Sequence, residues 1–147
     1  RFMRPGNMLA RIEEYLKETG QVVDMDPGVI SRAIFEGLVL SYCKAIEGLH
    51  EVTGMDFDTI HIIGGGSVNN LINQFAADAT GCRVIAGPME GSSLGNVLAQ
   101  LKADGEIESI RSGRSIIRNS FSLAVFSPTK DLDWETAAER FDALSVS

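Results

Sequence analysis

A β-branched run that leads directly into three consecutive glycines constrains this chain more than any other feature. Thr59 to Ile63 is β-branched except at His61 and has no helical spacing, and Gly64-Gly65-Gly66-Ser67 follows at once. Such a run is typical of a buried strand that ends in a tight turn. An apolar face at helical spacing comes next and stops at Gly81, with Ser67 as its predicted N-cap. The order predicts a strand, a glycine turn and a helix.

The same pattern recurs immediately afterwards. Arg83 to Ala86 predicts a second short strand, Gly87-Pro88 predicts a turn, and Ser92 or Ser93 is expected to open the next helix. Two strand-and-helix units joined by right-handed crossovers imply a parallel sheet.

Helical spacing predicts further helices before these units. Asn7 is expected to cap a helix that stops at Gly20, and Asp26-Pro27 opens a long amphipathic helix that ends at Thr53-Gly54. The long helix would cover the sheet. We therefore predict an α/β fold in which short parallel strands pack against several helices.

Beyond Gly105 the pattern weakens. It predicts a short helix near residues 108–112, an extended segment over residues 121–126, and a last helix that Asp133 caps and that Trp134 and Phe141 anchor. Only the first two strands are clearly predicted, and two short strands make a poor sheet. One of them would expose an unpaired edge, so we expect the isolated chain to self-associate or to be marginally stable.

Composition and charge exclude several classes of partner. Thirteen Lys and Arg against 20 Asp and Glu give a net charge of −7, which disfavours nucleic acid. No apolar run reaches the roughly 18 residues that a membrane span needs, and the N-terminus does not resemble a secretion signal. We expect a cytoplasmic protein without a membrane partner. Arg1 in place of Met indicates a piece of a longer chain.

Cysteine and histidine are too few to predict a metal site. Cys43 and Cys82 form no Cys-x-x-Cys pair, and only His50 and His61 could join them. We expect neither a metal centre nor a disulfide. His61, within the first strand, is interpreted as a hydrogen-bonded core residue rather than a base.

The glycine turn is the candidate ligand site. Ligands of parallel sheets lie beyond the carboxyl ends of strands, where Gly64, Gly65 and Gly66 fall, and glycine lets a ligand approach the backbone closely. Asn69, one turn on, lies within reach of the same ligand. A tight turn with a capping serine and no ligand explains these residues equally well. Neither common phosphate motif matches: Gly-Lys-Ser/Thr is absent, and Asn69 replaces the last glycine of G-x-G-x-x-G.

The stretch from Ile60 to Asn96 resembles the adenosine-binding region of the FGGY carbohydrate kinases, and within that family it is most similar to members that phosphorylate L-rhamnulose. The resemblance covers most of the chain and fades after Gly105. The general family features are Gly64-Gly65-Gly66-Ser67, Gln74, Ala77-Asp78, Glu90 and Leu94-Gly95; the narrower similarity is carried by Asn73-Gln74, Ala86-Gly87-Pro88, Leu94-Gly95-Asn96 and residues 2–21.

The resemblance implies a fold and a ligand set. Residues 1–147 would be the C-terminal portion of the C-terminal, nucleotide-binding domain of an actin-like (ribonuclease H-like) ATPase fold, without the N-terminal domain. The whole enzyme would use ATP with Mg²⁺ to phosphorylate L-rhamnulose. Gly64, Gly65, Gly66 and Asn69 would contact the adenosine end of ATP, and no catalytic residue is expected in this chain, so the isolated chain should be inactive.

Some alternatives and departures accompany this resemblance. A xylulose or fuculose kinase of the same family, or a non-catalytic nucleotide-binding module, would share the glycine turn. Gly91 replaces the alanine usual in the family and is expected to loosen a helix start. Asp78 and Glu90 fit the role of charged ligands, but a solvated helix face for Asp78 and a helix-start carboxylate for Glu90 explain them equally well, so neither is included in the predicted site.

Overall fold

The computed structural model of the chain describes residues 2–3, 5–129 and 132–145. These residues form six α-helices and three strands. A short 3₁₀ helix, here called the glycine turn (Gly64–Val68), links the first strand to the third helix. In chain order the elements are α1 (Met8–Glu18), α2 (Pro27–Thr53), β1 (Thr59–Ile62), the glycine turn, α3 (Asn70–Thr80), β2 (Arg83–Ala86), α4 (Gly91–Ala103), α5 (Ile110–Ser120), β3 (Ala124–Phe126) and α6 (Trp134–Ser145).

Local capping signals define the ends of the helices that precede the sheet. The Asn7 Oδ1 accepts a hydrogen bond from the Ala10 N–H at 3.1 Å and so caps α1. At the start of α2 the Asp26 Oδ1 accepts from the Gly28 N–H at 2.8 Å. Gly54 ends α2 in a left-handed conformation, with φ of 67°, which glycine adopts without a steric penalty. These predicted boundaries are confirmed.

The sheet has three strands in the order β1-β2-β3. β1 and β2 run parallel, with Ile60 opposite Val84, and α3 connects them. β3 runs antiparallel to β2 on its other side, with Val125 opposite Ile85. The expectation of two clear strands is therefore wrong. Residues 124–126 pair with β2 although they are only three residues long, so β2 becomes the central strand.

The core lies between the sheet and the helices α2, α3 and α6. Val39 from α2 and Val84 from β2 are fully buried, and the Phe75 ring of α3 meets the Trp134 ring of α6 edge-on at 5.3 Å. Phe141 packs against the same cluster. The predicted packing role of Trp134 and Phe141 is thus confirmed, and the mixed α/β architecture is as expected.

Two helices in the second half have different bounds from those predicted. α4 begins at Gly91, before Ser92 and Ser93, and no side chain caps it. α5 runs from Ile110 to Ser120 rather than ending near 112. A Cβ at Gly113 would lie 2.6 Å from the Leu98 Cδ2, so this glycine lets α5 pack closely on α4. That tertiary contact supports a helix whose glycine weakens its local propensity.

Asp133 caps the last helix as predicted. Its carboxylate accepts hydrogen bonds from the Thr136 backbone N–H at 3.1 Å and the Thr136 hydroxyl at 2.8 Å. Among the residues described, no helix is both long and apolar enough to cross a membrane.

Candidate functional site

The glycine turn leaves β1 at the carboxyl end of the strand. Gly64 has a φ of +79°, a left-handed conformation that side chains disfavour, and its N–H donates to the Pro88 carbonyl oxygen at 3.2 Å. The glycine at position 64 is therefore required by the backbone itself.

Gly65 differs from its neighbours because it is free of steric constraint. A Cβ built at Gly65 would have no atom within 4 Å, whereas one at Gly66 would lie 3.6 Å from the Ile62 Cγ2. Both glycines are exposed. At Gly65 the chain presents bare backbone to open space, which is the arrangement that a closely approaching ligand needs.

Asn69, not Ser67, is the N-cap of α3. The Asn69 Oδ1 accepts from the Ile72 N–H at 3.1 Å, while the buried Ser67 hydroxyl donates to the Gly64 carbonyl at 2.7 Å. The prediction at Ser67 is wrong because a 3₁₀ turn precedes the α-helix and moves the cap by two residues. The Asn69 Nδ2 has no hydrogen-bond partner in the described part of the chain, so this amide NH2 group is free to donate a hydrogen bond to a ligand.

A second loop lies beside the glycine turn. It follows β2, and its Gly87 N–H donates to the Ile62 carbonyl at 2.8 Å. A Cβ at Gly91 would lie 3.1 Å from both the Ile63 Cβ and its Cδ1. Gly91 thus fits closely against Ile63 and begins α4. The loops after both parallel strands meet at one edge of the sheet.

The Gln74 and Asp78 side chains hold a different part of the molecule. The Asp78 Oδ1 accepts from the Gln74 Nε2 at 2.9 Å, from the Thr129 N–H at 2.6 Å and from the Thr129 hydroxyl at 3.0 Å. The Gln74 Nε2 also donates to the Ser127 carbonyl. The interpretation of Asp78 as part of a solvated face is wrong, because the carboxylate fastens the segment after β3 to α3.

His61 is exposed, so the core interpretation of this residue is wrong. Side chains alternate along a strand, and the flanking Ile60 and Ile62 pack on the core. His61 therefore lies on the face of the sheet opposite this core. Glu90 is also exposed and makes no capping hydrogen bond.

The glycine turn lies on an open surface. One cavity of about 360 Å³ lies near the end of α2 and is formed by residues that include His50 and Cys82. Another, of about 560 Å³, lies along α1. The glycine turn lines neither of these two cavities. No cluster of three or more His, Cys, Asp and Glu in residues 2–3, 5–129 and 132–145 could hold a metal ion. The candidate site in this chain is a backbone surface with one amide side chain at its rim.

Residues 1–103 match the C-terminal domain of the FGGY family of carbohydrate kinases. The chain belongs to this family. The match includes β1, the glycine turn, α3, β2 and α4, so the family resemblance in the sequence is confirmed, and the glycine turn is part of a carbohydrate kinase domain.

Relatives in three bacteria extend the similarity beyond residue 103. The chain is 40% identical over 126 residues (86% of the chain) to a protein named rhamnulokinase from Oceanobacillus iheyensis, 38% identical over 141 residues (96%) to one from Bacillus subtilis, and 39% identical over 140 residues (95%) to one from Bacteroides thetaiotaomicron. These alignments take up 27%, 29% and 29% of the relatives' own lengths. The chain thus spans less than a third of each relative.

Proposed function

We propose that this chain is the C-terminal portion of the nucleotide-binding domain of a kinase that transfers the γ-phosphoryl group of ATP to L-rhamnulose, with L-rhamnulose 1-phosphate as the product. Its membership of a carbohydrate kinase family and the rhamnulokinase names of its relatives support this proposal. In the complete protein the domain has an actin-like (ribonuclease H-like) fold, and Mg²⁺ accompanies ATP. No residue of this chain is assigned to the metal.

The role proposed for this segment is to hold the adenosine end of ATP. The observation that supports it best is the open backbone at Gly65, where no protein atom lies within 4 Å of the Cβ position. Gly64 shapes the turn, Gly65 and Gly66 contact the nucleotide, and the Asn69 Nδ2 donates to it. Phosphoryl transfer depends on positioning and on charge stabilisation around the γ-phosphate, and no group in this chain is proposed to supply either.

The proposed partners follow from the same role. ATP and L-rhamnulose bind the full-length protein, and a kinase that consumes ATP is placed in the cytoplasm, where ATP is abundant. A net charge of −7 argues against nucleic acid as a partner. The isolated chain is proposed to self-associate or to be marginally stable as a monomer, because the outer edge of β1 has no partner strand in the described residues and because Ile34 and Leu38 on α2 are exposed.

A coupled ADP-release assay tests the proposal. The full-length protein is assayed with L-rhamnulose, xylulose and fuculose, and the 147-residue chain is assayed alone. We expect the highest kcat/KM with L-rhamnulose and no turnover from the isolated chain. A preference for xylulose or fuculose would reassign the substrate. Nucleotide binding by the full-length protein without turnover of any sugar would instead identify a non-catalytic module.

A further inference from the structure

Asn73 is a polar side chain in an apolar core. It is 0% exposed and is among the largest fully buried side chains in the described residues, together with Val39 and Val84. Its Oδ1 is buried and has no hydrogen-bond partner there. Burial of an unpaired amide oxygen costs free energy, and an apolar side chain of the same branched shape, such as leucine, would avoid that cost. Core packing alone therefore does not explain an asparagine at this position.

Within the described residues the Asn73 side chain makes one hydrogen bond, and it reaches the glycine turn. The Asn73 Nδ2 donates to the Ser67 carbonyl at 2.9 Å. The Ser67 hydroxyl in turn donates to the Gly64 carbonyl at 2.7 Å, and the Gly64 N–H donates to the Pro88 carbonyl. A continuous set of hydrogen bonds therefore runs from α3 through the turn to the loop after β2.

This set of bonds holds both ends of the exposed backbone. Gly65 and Gly66 lie between Gly64 and Ser67, and they have no side chain with which to anchor themselves. α3 is packed in the core, because Ala76 and Ala77 on the same helix are fully buried. Asn73 is the point at which this core helix is hydrogen-bonded to the glycine turn.

We propose that Asn73 is a positioning residue for nucleotide binding: its amide fixes the Ser67 carbonyl and so holds Gly65 and Gly66 in the conformation that receives the nucleotide. The inference rests on the function proposed for the glycine turn. Without the amide, binding must itself order the turn, and ordering about one residue corresponds to a roughly 5- to 30-fold loss of affinity.

The test uses Asn73→Leu in the full-length protein, since leucine has the same branched shape and number of non-hydrogen side-chain atoms without the amide. We expect the KM for ATP to rise about 5- to 30-fold, with kcat and the KM for the sugar within about twofold of wild type. Asn73→Ala is the second variant, in case leucine cannot be packed. Phe75→Leu is the matched control, because it disturbs the same helix on the side that faces Trp134 and should leave the KM for ATP unchanged.

Amide hydrogen exchange across residues 60–72 gives a readout that does not depend on turnover. We expect ATP to slow exchange at the turn in wild type, and exchange without ATP to be faster in Asn73→Leu than in Phe75→Leu. A KM for ATP within about twofold of wild type in both Asn73 variants would overturn the inference, as would an equal rise in Phe75→Leu. Absence of protection by ATP in wild type would overturn the nucleotide site itself, and the inference with it.

Discussion

Substitution of Gly65 gives the sharpest test of the nucleotide site, because the structure separates its effect on a ligand from its effect on the fold. A Cβ at Gly65 meets no protein atom within 4 Å, and the residue is not in the left-handed conformation. Alanine should therefore be accepted without a clash, and it also lowers the entropy of the unfolded chain. Any loss of ATP affinity would then come from contact between the new side chain and the nucleotide.

The expected magnitude follows from the cost of extra atoms at a close contact. Overpacking costs about 1–3 kcal/mol, which corresponds to a rise of roughly 5- to 140-fold in the KM for ATP. Gly65→Ala should lie near the lower end and Gly65→Val near the upper end. The KM for the sugar should change much less, because the glycine turn is proposed to contact only the adenosine end.

The assay is steady-state ADP release by the full-length protein, with ATP and L-rhamnulose varied in turn. Gly48→Ala in α2 is the matched control, since its Cβ also meets nothing within 4 Å and the residue lies far along the chain from the turn. Gly64→Ala should instead lower stability, because its φ of +79° strains any side chain. Unchanged ATP saturation in Gly65→Val would refute the assignment of the turn to the nucleotide.

Four further predictions concern single groups and the isolated chain. Asn69→Ala should raise the KM for ATP mildly and also lower the Tm, because it removes an N-cap that contributes about 0.5–2 kcal/mol; an unchanged KM for ATP would leave Asn69 a cap only. Burial and the neighbouring Glu47 carboxylate raise the pKa of Cys43 from 9.0 to about 11. Iodoacetamide should therefore modify Cys43 about 100-fold more slowly at pH 8 in the folded chain than in urea. Equal rates of modification in the two conditions would contradict the raised pKa. Hydrogen bonds from Thr136 lower the pKa of Asp133 below 3.8, so its contribution to stability is complete above pH 3.8 and is lost as the pH falls through the folded pKa. Below pH 3.8 the Tm of the wild type should therefore fall more steeply than that of Asp133→Asn. Parallel curves of Tm against pH would argue against the cap. The isolated chain should sediment as more than a monomer or melt at a low temperature, and a strictly monomeric species with a high Tm at every concentration would show that the β1 edge is tolerated.

The sequence by itself determined the elements whose signals are local. The cap residues Asn7 and Asp26, the stop at Gly54 and the β-branched run before Gly64 each act through neighbours a few residues away. Such signals can be read from sequence because the atoms that interact are adjacent along the chain. The glycine turn was predicted for the same reason, whereas the family was identified by the resemblance of residues 60–96.

Only the tertiary structure decided which segments pair and which polar groups are buried. Val125 joins the sheet by pairing with Ile85, about forty residues earlier, and no residue pattern near Val125 predicts that pairing. The sequence around Asn73 is typical of an ordinary helix residue. In the structure Asn73 is fully buried and is hydrogen-bonded to the Ser67 carbonyl of the glycine turn. His61 is exposed because alternation along β1 turns it away from the core that receives Ile60 and Ile62. The pairing of β3, the burial of Asn73 and the choice of which face of β1 meets the core depend on packing between segments that are distant in sequence.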